Sequence, residues 1–326
     1  MQCRHPPRGK LGTGKTPSFV ALAKRLSMSL HPISRDHHYV PRFYLKGFCR
    51  RDGTFDVYDK QYQKFKKLPQ SPGTAFFERD RNNVVFRGAR SDFIEKAYAG
   101  IESSLGDLFN LIRAGATREV LLQPQGIHLL KLHLSIQFWR LPRMDEFSER
   151  FLLSRTPAQV EHICAIVAPA MPRQGVYDLI QSDKGFRHYF RSFWLPLSTF
   201  DLSDRTPPGM SWTLLDVEDP ARWSNHLCSD SPFVFLNPDG QHAFDGPFVF
   251  PLSGSRLLLS RSSSNTATSF DPSLSVRLSI LLFFQATRFV AAANRSYIKK
   301  LIELSHAYVG TDGRHRLDAE VMEFLR

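Results

Sequence analysis

Paired cysteines are missing from this sequence. Its four cysteines, Cys3, Cys49, Cys164 and Cys228, stand far apart with no two-residue spacing between any of them, which excludes a zinc knuckle and a disulfide-stapled scaffold. Long apolar runs are missing as well. No stretch approaches the roughly 20 residues that cross a bilayer, and no apolar segment follows the first positive charges as a secretory signal requires. A protein of the reducing cytoplasm, away from membranes, is the expectation. Also absent are an HNH pattern, the spacing of paired nuclease carboxylates, a GxSxG elbow and any repeat of solenoid length. No motif announces a reaction.

What is present is globular material: 326 residues, 42% hydrophobic and 23% charged, with 27 phenylalanines to fill a core. The net charge of +12 points toward anionic partners, but its distribution tempers that. Residues 1–27 hold six basic side chains and no acid, and 43 basic residues less those six leave 37 against 31 acidic. Within this segment GKLGTGKT, at 9–16, fits the phosphate-loop spacing. Such a loop works by following a buried strand, and only MQCRHPPR precedes it here. Residues 1–30 are therefore expected to be a disordered or spurious extension, 31–310 a single domain and 311–326 a C-terminal tail.

The organising stretch is DHHYVPRFYLKGF at 36–48. Pro41 suits the first turn of a short helix and Gly47 ends it, so His37 and His38 are expected at a helix N-terminus. Neutral imidazole and bound anions are favoured there. The pair suits a general base, a metal ligand or a phosphate contact; the plainer alternative is a structural pair bonded to backbone. A hairpin is expected next, from strand 54–58 and its partner 63–68, then a short strand at 84–86.

The helix opening at Asp92, with a capping box to Glu95, runs to Gly115 and sets Glu95 and Glu102 on one face. The following helix, 124–141, is apolar around most of its axis and should be buried. Its polar residues fall into two stripes. His128, Lys131 and Ser135 suit a solvent face, whereas His133, Gln137 and Arg140 suit the wall of a site that Arg143 joins. A pairing of Arg140 with Glu95 or Glu102 is the alternative. Further helices at 157–169 and 175–193 lead to a polar linker at 201–209 and a run of strands between 211 and 259. Among these, Ser229 and Asp230 begin SDSP at a strand end, placed to orient a histidine or hold a metal, or else to form an Asx turn. A long core helix, 274–306, with a break near Asn294 as an alternative, closes the domain.

HHYVPRFYLKGF resembles the opening signature of a bacterial domain-of-unknown-function family, number forty-two thirty-eight. DGTFDVYDK, QFWRLPRM, CSDSPFVF, FVFPLSGSRLLLS and RFVAAAN agree with it, so the resemblance spans roughly 31–304. That family carries no established activity, so the resemblance nominates residues without giving them roles.

Together these readings predict an α+β fold: a small N-terminal β-unit, a helical middle, a C-terminal, mainly antiparallel sheet and a long core helix. The function expected is that of a hydrolase-like enzyme acting on a phosphate-containing substrate, nucleic acid included. His37 or His38 would serve as base or ligand with Asp230, Arg42 and Arg140 would neutralise phosphate, and Gln137, Arg143 and Ser229 would bind substrate, with a divalent metal as candidate cofactor. The alternative is a non-catalytic module that binds nucleic acid or protein.

Overall fold

Side-chain alternation along the C-terminal strands decides the architecture. In the strand Phe248–Ser253, Phe248, Phe250 and Leu252 point into one apolar cluster and Val249 into another. Its neighbour Arg256–Ser262 sends Leu258 to the first cluster and Leu257 and Leu259 to the second. Opposite faces of a strand reach opposite sides of its sheet, so the sheet divides two cores and is covered on both.

The computed structural model describes residues 35–86, 89–167, 173–198, 202–216, 226–236, 244–262 and 272–325. The expected extension and its phosphate-loop sequence lie outside these residues. The strands are β1 (Asp36–His38), β2 (Asp56–Asp59), β3 (Lys64–Phe65), β4 (Phe77–Arg79), β5 (Val84–Phe86), β6 (Ala89–Ser91), β7 (Met210–Asp216), β8 (Cys228–Ser229), β9 (Val234–Phe235), β10 (Phe248–Ser253), β11 (Arg256–Ser262) and β12 (Phe289–Ala292). They pair antiparallel in two four-stranded sheets, ordered β3-β2-β12-β8 and β7-β11-β10-β9, and two hairpin-sized pairs, β1-β4 and β5-β6. With helices on either side, the fold is α+β.

The first sheet repeats the division. Val57 and Ala291, paired across β2 and β12, face the first cluster, while their neighbours Tyr58 and Val290 face the second. Helices Phe93–Arg113 and Pro124–Arg140 cover the first side. Helices Pro272–Gln285, Arg295–Ser305 and Thr311–Leu325 cover the second.

Two elements differ from the sequence expectation. The long closing helix is interrupted by β12, because FVAA carries a β-branched, small-residue pattern that the sheet takes up between β2 and β8. The segment expected as a C-terminal tail is the helix Thr311–Leu325, held by buried Leu317, Val321 and Leu325. Its mixed charges hid a narrow apolar stripe at spacings of four.

The histidine segment also differs. His37 and His38 lie on β1, paired with Glu78 and Phe77 of β4, rather than at a helix N-terminus. The helix that follows is only Arg42–Leu45. What the segment mainly does is pack: Tyr39, Val40, Tyr44, Leu45 and Phe48 are all at most 3% exposed, each contributing about 2 kcal/mol by burial. Tyr44 stacks on Phe250 and donates its hydroxyl to the carbonyl of Pro251 at 2.8 Å. Gly47 allows the β10–β11 turn to approach, since a Cβ there would stand 3.1 Å from Ser253 and 3.2 Å from the Leu252 carbonyl.

Candidate functional site

The end of helix Pro124–Arg140 is where the chemistry gathers. Its last carbonyls carry the negative end of the helix dipole, and guanidinium groups meet them. Arg191 donates to the carbonyls of Trp139 and Leu141, each at 2.9 Å, and Arg81 donates to that of Arg140 at 3.0 Å. Asp145 joins the two arginines, at 2.6 Å from Arg81 and 2.5 Å from Arg191. Burial works against the Asp145 charge, but the two guanidinium groups outweigh it and hold the carboxyl below its ordinary pKa. This knot fixes the helix end.

Arg140 itself turns inward. It is 3% exposed, and its guanidinium meets Glu102 at 2.9 Å, Glu95 at 3.6 Å, the His38 carbonyl at 2.6 Å and the face of Tyr98 at 4.5 Å. The alternative pairing with Glu95 and Glu102 forms, and a contact to the histidine segment forms with it. Asp92 occupies the helix N-cap position without capping and pairs with Lys96, which leaves Glu95 to take the amide of Asn82 and face Arg140.

The two histidines are held differently. His37 Nδ1 accepts from the backbone amide of Asn82 at 2.8 Å, so its proton sits on Nε2. His38 Nδ1 faces the carbonyl of Ala75 at 3.0 Å and therefore donates; its Nε2 is unprotonated, buried and without a partner. Burial and then the nearby Arg42 charge lower the His38 pKa to about 4. Arg42 is exposed and has no carboxylate partner among the described residues.

Along the same helix His133 and Gln137 are fully buried. Phe43, Tyr44, Phe109 and Phe250 enclose the His133 ring with centroids 4.6 to 5.7 Å away. Neither ring nitrogen of His133 and neither amide atom of Gln137 has a partner. The stripe expected on the solvent side is covered instead: Lys131 donates to Ser203 at 3.1 Å, and the His128 ring meets the Leu202 carbonyl.

Asp230 does not meet a histidine. Its carboxylate accepts from the backbone amides of Thr287, Arg288 and Phe289 at 2.8, 2.7 and 2.9 Å, tying the loop after β8 to the start of β12. Burial raises its pKa and those amides oppose the rise. The expectation was a histidine within direct or water-bridged reach of Asp230; among the described residues no direct bond forms, and three backbone amides take up most of the carboxylate instead. Nor do the described residues contain any cluster of three or more His, Cys, Asp or Glu that could hold a metal.

The same loop builds a pocket. β8 belongs to one sheet and β9 to the other, so 230–233 crosses between them. Ser229 Oγ accepts from the amide of Ser231 at 3.1 Å and shapes the turn. Ser231 Oγ then accepts from Arg143. Arg143 and Ser231 stand with Phe138, Phe147, Phe233 and Phe235 around a cavity of about 180 Å³. Arg143 is exposed, partly desolvated, and has no carboxylate within ion-pair reach among the described residues. The structure thus joins Arg143 to the Ser229–Asp230 turn and Arg140 to His38.

Sequence reasoning missed Ser231 and the aromatic floor. The signal was there in Phe233 and Phe235, whose period of two puts both rings on one side of an extended chain; they stack at 5.6 Å. QFWRLPRM and CSDSPFVF, the two stretches that meet here, both figured in the family resemblance.

Residues 36–171 match a family described as Protein of unknown function (DUF4238). The likeness covers less than half of the chain. No curated protein and no solved structure matches it. The description of that family carries no activity, so function rests on the geometry above.

Proposed function

We propose that this protein is a binding module for a small anionic ligand with a planar apolar body, received in the Arg143–Ser231 pocket. The observation that carries this is Arg143 itself: a cation at the mouth of an aromatic cavity, bonded to Ser231 and with no carboxylate partner among the described residues. An arginine so placed offers a two-pronged donor to a carboxylate or phosphate, while four phenylalanines bury the ring behind it. Asp230 contributes through the turn it anchors. A reducing cytoplasm is the setting of this reading, supported by the free thiols of Cys49 and Cys228.

Calorimetric titration with phenyl phosphate and benzoate, beside inorganic phosphate and benzyl alcohol, tests it. Saturable binding is expected for the first two, lost in Arg143→Ala and weak for the others. Equal binding by Arg143→Ala, or none by the native protein, overturns the reading.

Hydrolysis of a phosphate-containing ligand is a second reading, favoured by the Nε2 of His38, which has no protein partner and stays unprotonated near neutral pH. Turnover of bis(4-nitrophenyl) phosphate that disappears in His38→Gln without a change in melting temperature is its expected signature; no turnover by the native protein sinks it.

A further inference from the structure

Residues 60–67, KQYQKFKK, contain four lysines and no acid. They form the β2–β3 turn and the edge strand β3. One lysine is engaged internally, since Lys60 Nζ donates to the carbonyls of Phe283 and Ala286 at the end of helix Pro272–Gln285, at 2.6 and 2.5 Å. The other three are exposed.

Aromatic rings stand between them. Tyr62 is 57% exposed, with Lys64 Nζ 5.2 Å and the Arg288 guanidinium 5.6 Å from its ring centre. Arg288 also lies 4.6 Å over Phe289, with Lys66 5.3 Å from the same ring. Strand register produces this order. Lys64 is opposite Asp59, and Asp59 opposite Phe289, so side chains from β3, β2 and β12 share one face.

The charge balance leaves the strip positive. Asp59, 1% exposed, serves Arg288 at 3.2 Å and Lys66 at 3.8 Å, two cations on one buried carboxylate. Lys64 and Lys67 have no carboxylate partner among the described residues. Lysines on an edge strand have one ready explanation, since they discourage pairing with another chain. That explanation does not extend to an exposed tyrosine, nor to an arginine just before β12, two strands in from the edge.

We propose that this strip of rings and cations on β2, β3 and β12 binds single-stranded nucleic acid, with Lys64, Lys66 and Arg288 following the phosphates and Tyr62 stacking on a base. Stacking with electrostatic tracking is how strand binding without sequence readout works. A short sheet edge presents neither helix nor long ribbon to a duplex groove, which favours the single strand. The surface is separate from the Arg143 pocket and stands or falls independently of it.

The test is fluorescence anisotropy of the full chain with a labelled oligothymidylate of about 15 nucleotides, long enough for one such site, across a salt series starting near about 50 mM. Tyr62→Ala is expected to weaken binding roughly five- to hundredfold, and Tyr62→Phe to preserve it. Lys64→Ala should flatten the slope of log affinity against log salt by about 0.7. Arg143→Ala should leave binding unchanged, so a failed pocket and a failed strip are told apart. All four substitutions are at exposed positions, Tyr62, Lys64 and Arg143, and unchanged melting curves check their folding. No binding, binding indifferent to both Tyr62→Ala and Lys64→Ala, or tighter binding to a duplex of equal length or to phosphatidylserine vesicles overturns the proposal.

Discussion

Arg140 donates to the main-chain carbonyl of His38 at 2.6 Å, joining two residues 102 apart in sequence. This contact ties β1 to the end of the buried helix Pro124–Arg140. Burial disfavours the guanidinium charge, but Glu102 and Glu95 outweigh that and hold its pKa above the ordinary value. Arg140→Ala is expected to destabilise by about 3 to 5 kcal/mol, since two carboxylates and a carbonyl lose their partner together. Urea unfolding measures this. A loss below about 1 kcal/mol would show that solvent reaches the site and replaces the guanidinium.

Asp230 is the second test, because its three amide contacts argue for an anchoring role. Asp230→Ala leaves the amides of 287–289 without their acceptor and should destabilise by about 3 kcal/mol or more. Asp230→Asn keeps one acceptor oxygen and should recover part of the loss. If both variants melt like the native protein, the carboxylate is not an anchor, and a chemical role for it regains ground.

Acid should weaken the fold through its histidines. Burial, the largest cause in each, lowers the pKa of His38 and His188 to about 4 and of His133 and His226 to about 3. Unfolded, each titrates near about 6.5. Between those values the unfolded chain binds protons that the folded chain does not, so stability is full above about 6.5 and falls as pH drops toward the folded pKa values. By pH 5 the cost approaches about 2 kcal/mol per histidine. Melting temperatures should rise from pH 5 to about 6.5 and level off above it, and a flat profile would mean that these rings are hydrated when folded.

Much of this was legible in the sequence because patterns of burial are local. The period of helix 124–141 announced its burial and set Arg140 on an inner stripe, and the spacing of Glu95 and Glu102 placed both on one face. What stayed hidden depends on contacts between distant segments. FVAA reads as helix or strand until β2 and β8 are there to pair with it. SDSP suits a metal ligand until the amides of 287–289 arrive to take the aspartate. His37 and His38 read as helix-terminal because nothing in their neighbourhood specifies β4, some 40 residues on.

His133 supplies the last prediction, and its sign is the informative part. A histidine enclosed by four aromatic rings, with both nitrogens unpartnered, has given up hydration and gained no hydrogen bond in return. Such a group costs stability on the order of 1 to 3 kcal/mol. Leucine has a similar volume and no polar atom. His133→Leu is therefore expected to raise stability by about 1 kcal/mol or more and to flatten the acid dependence by the share this ring contributes. Gln137, four residues along on the same face, extends the argument: both of its amide atoms are unpartnered too. If His133→Leu instead lowers the melting temperature, water joins the ring to Gln137 and the unpartnered Nε of Arg140. Buried water that makes two or more hydrogen bonds is costly to remove, and the inner stripe would then be a hydrated element of the core rather than an uncompensated one.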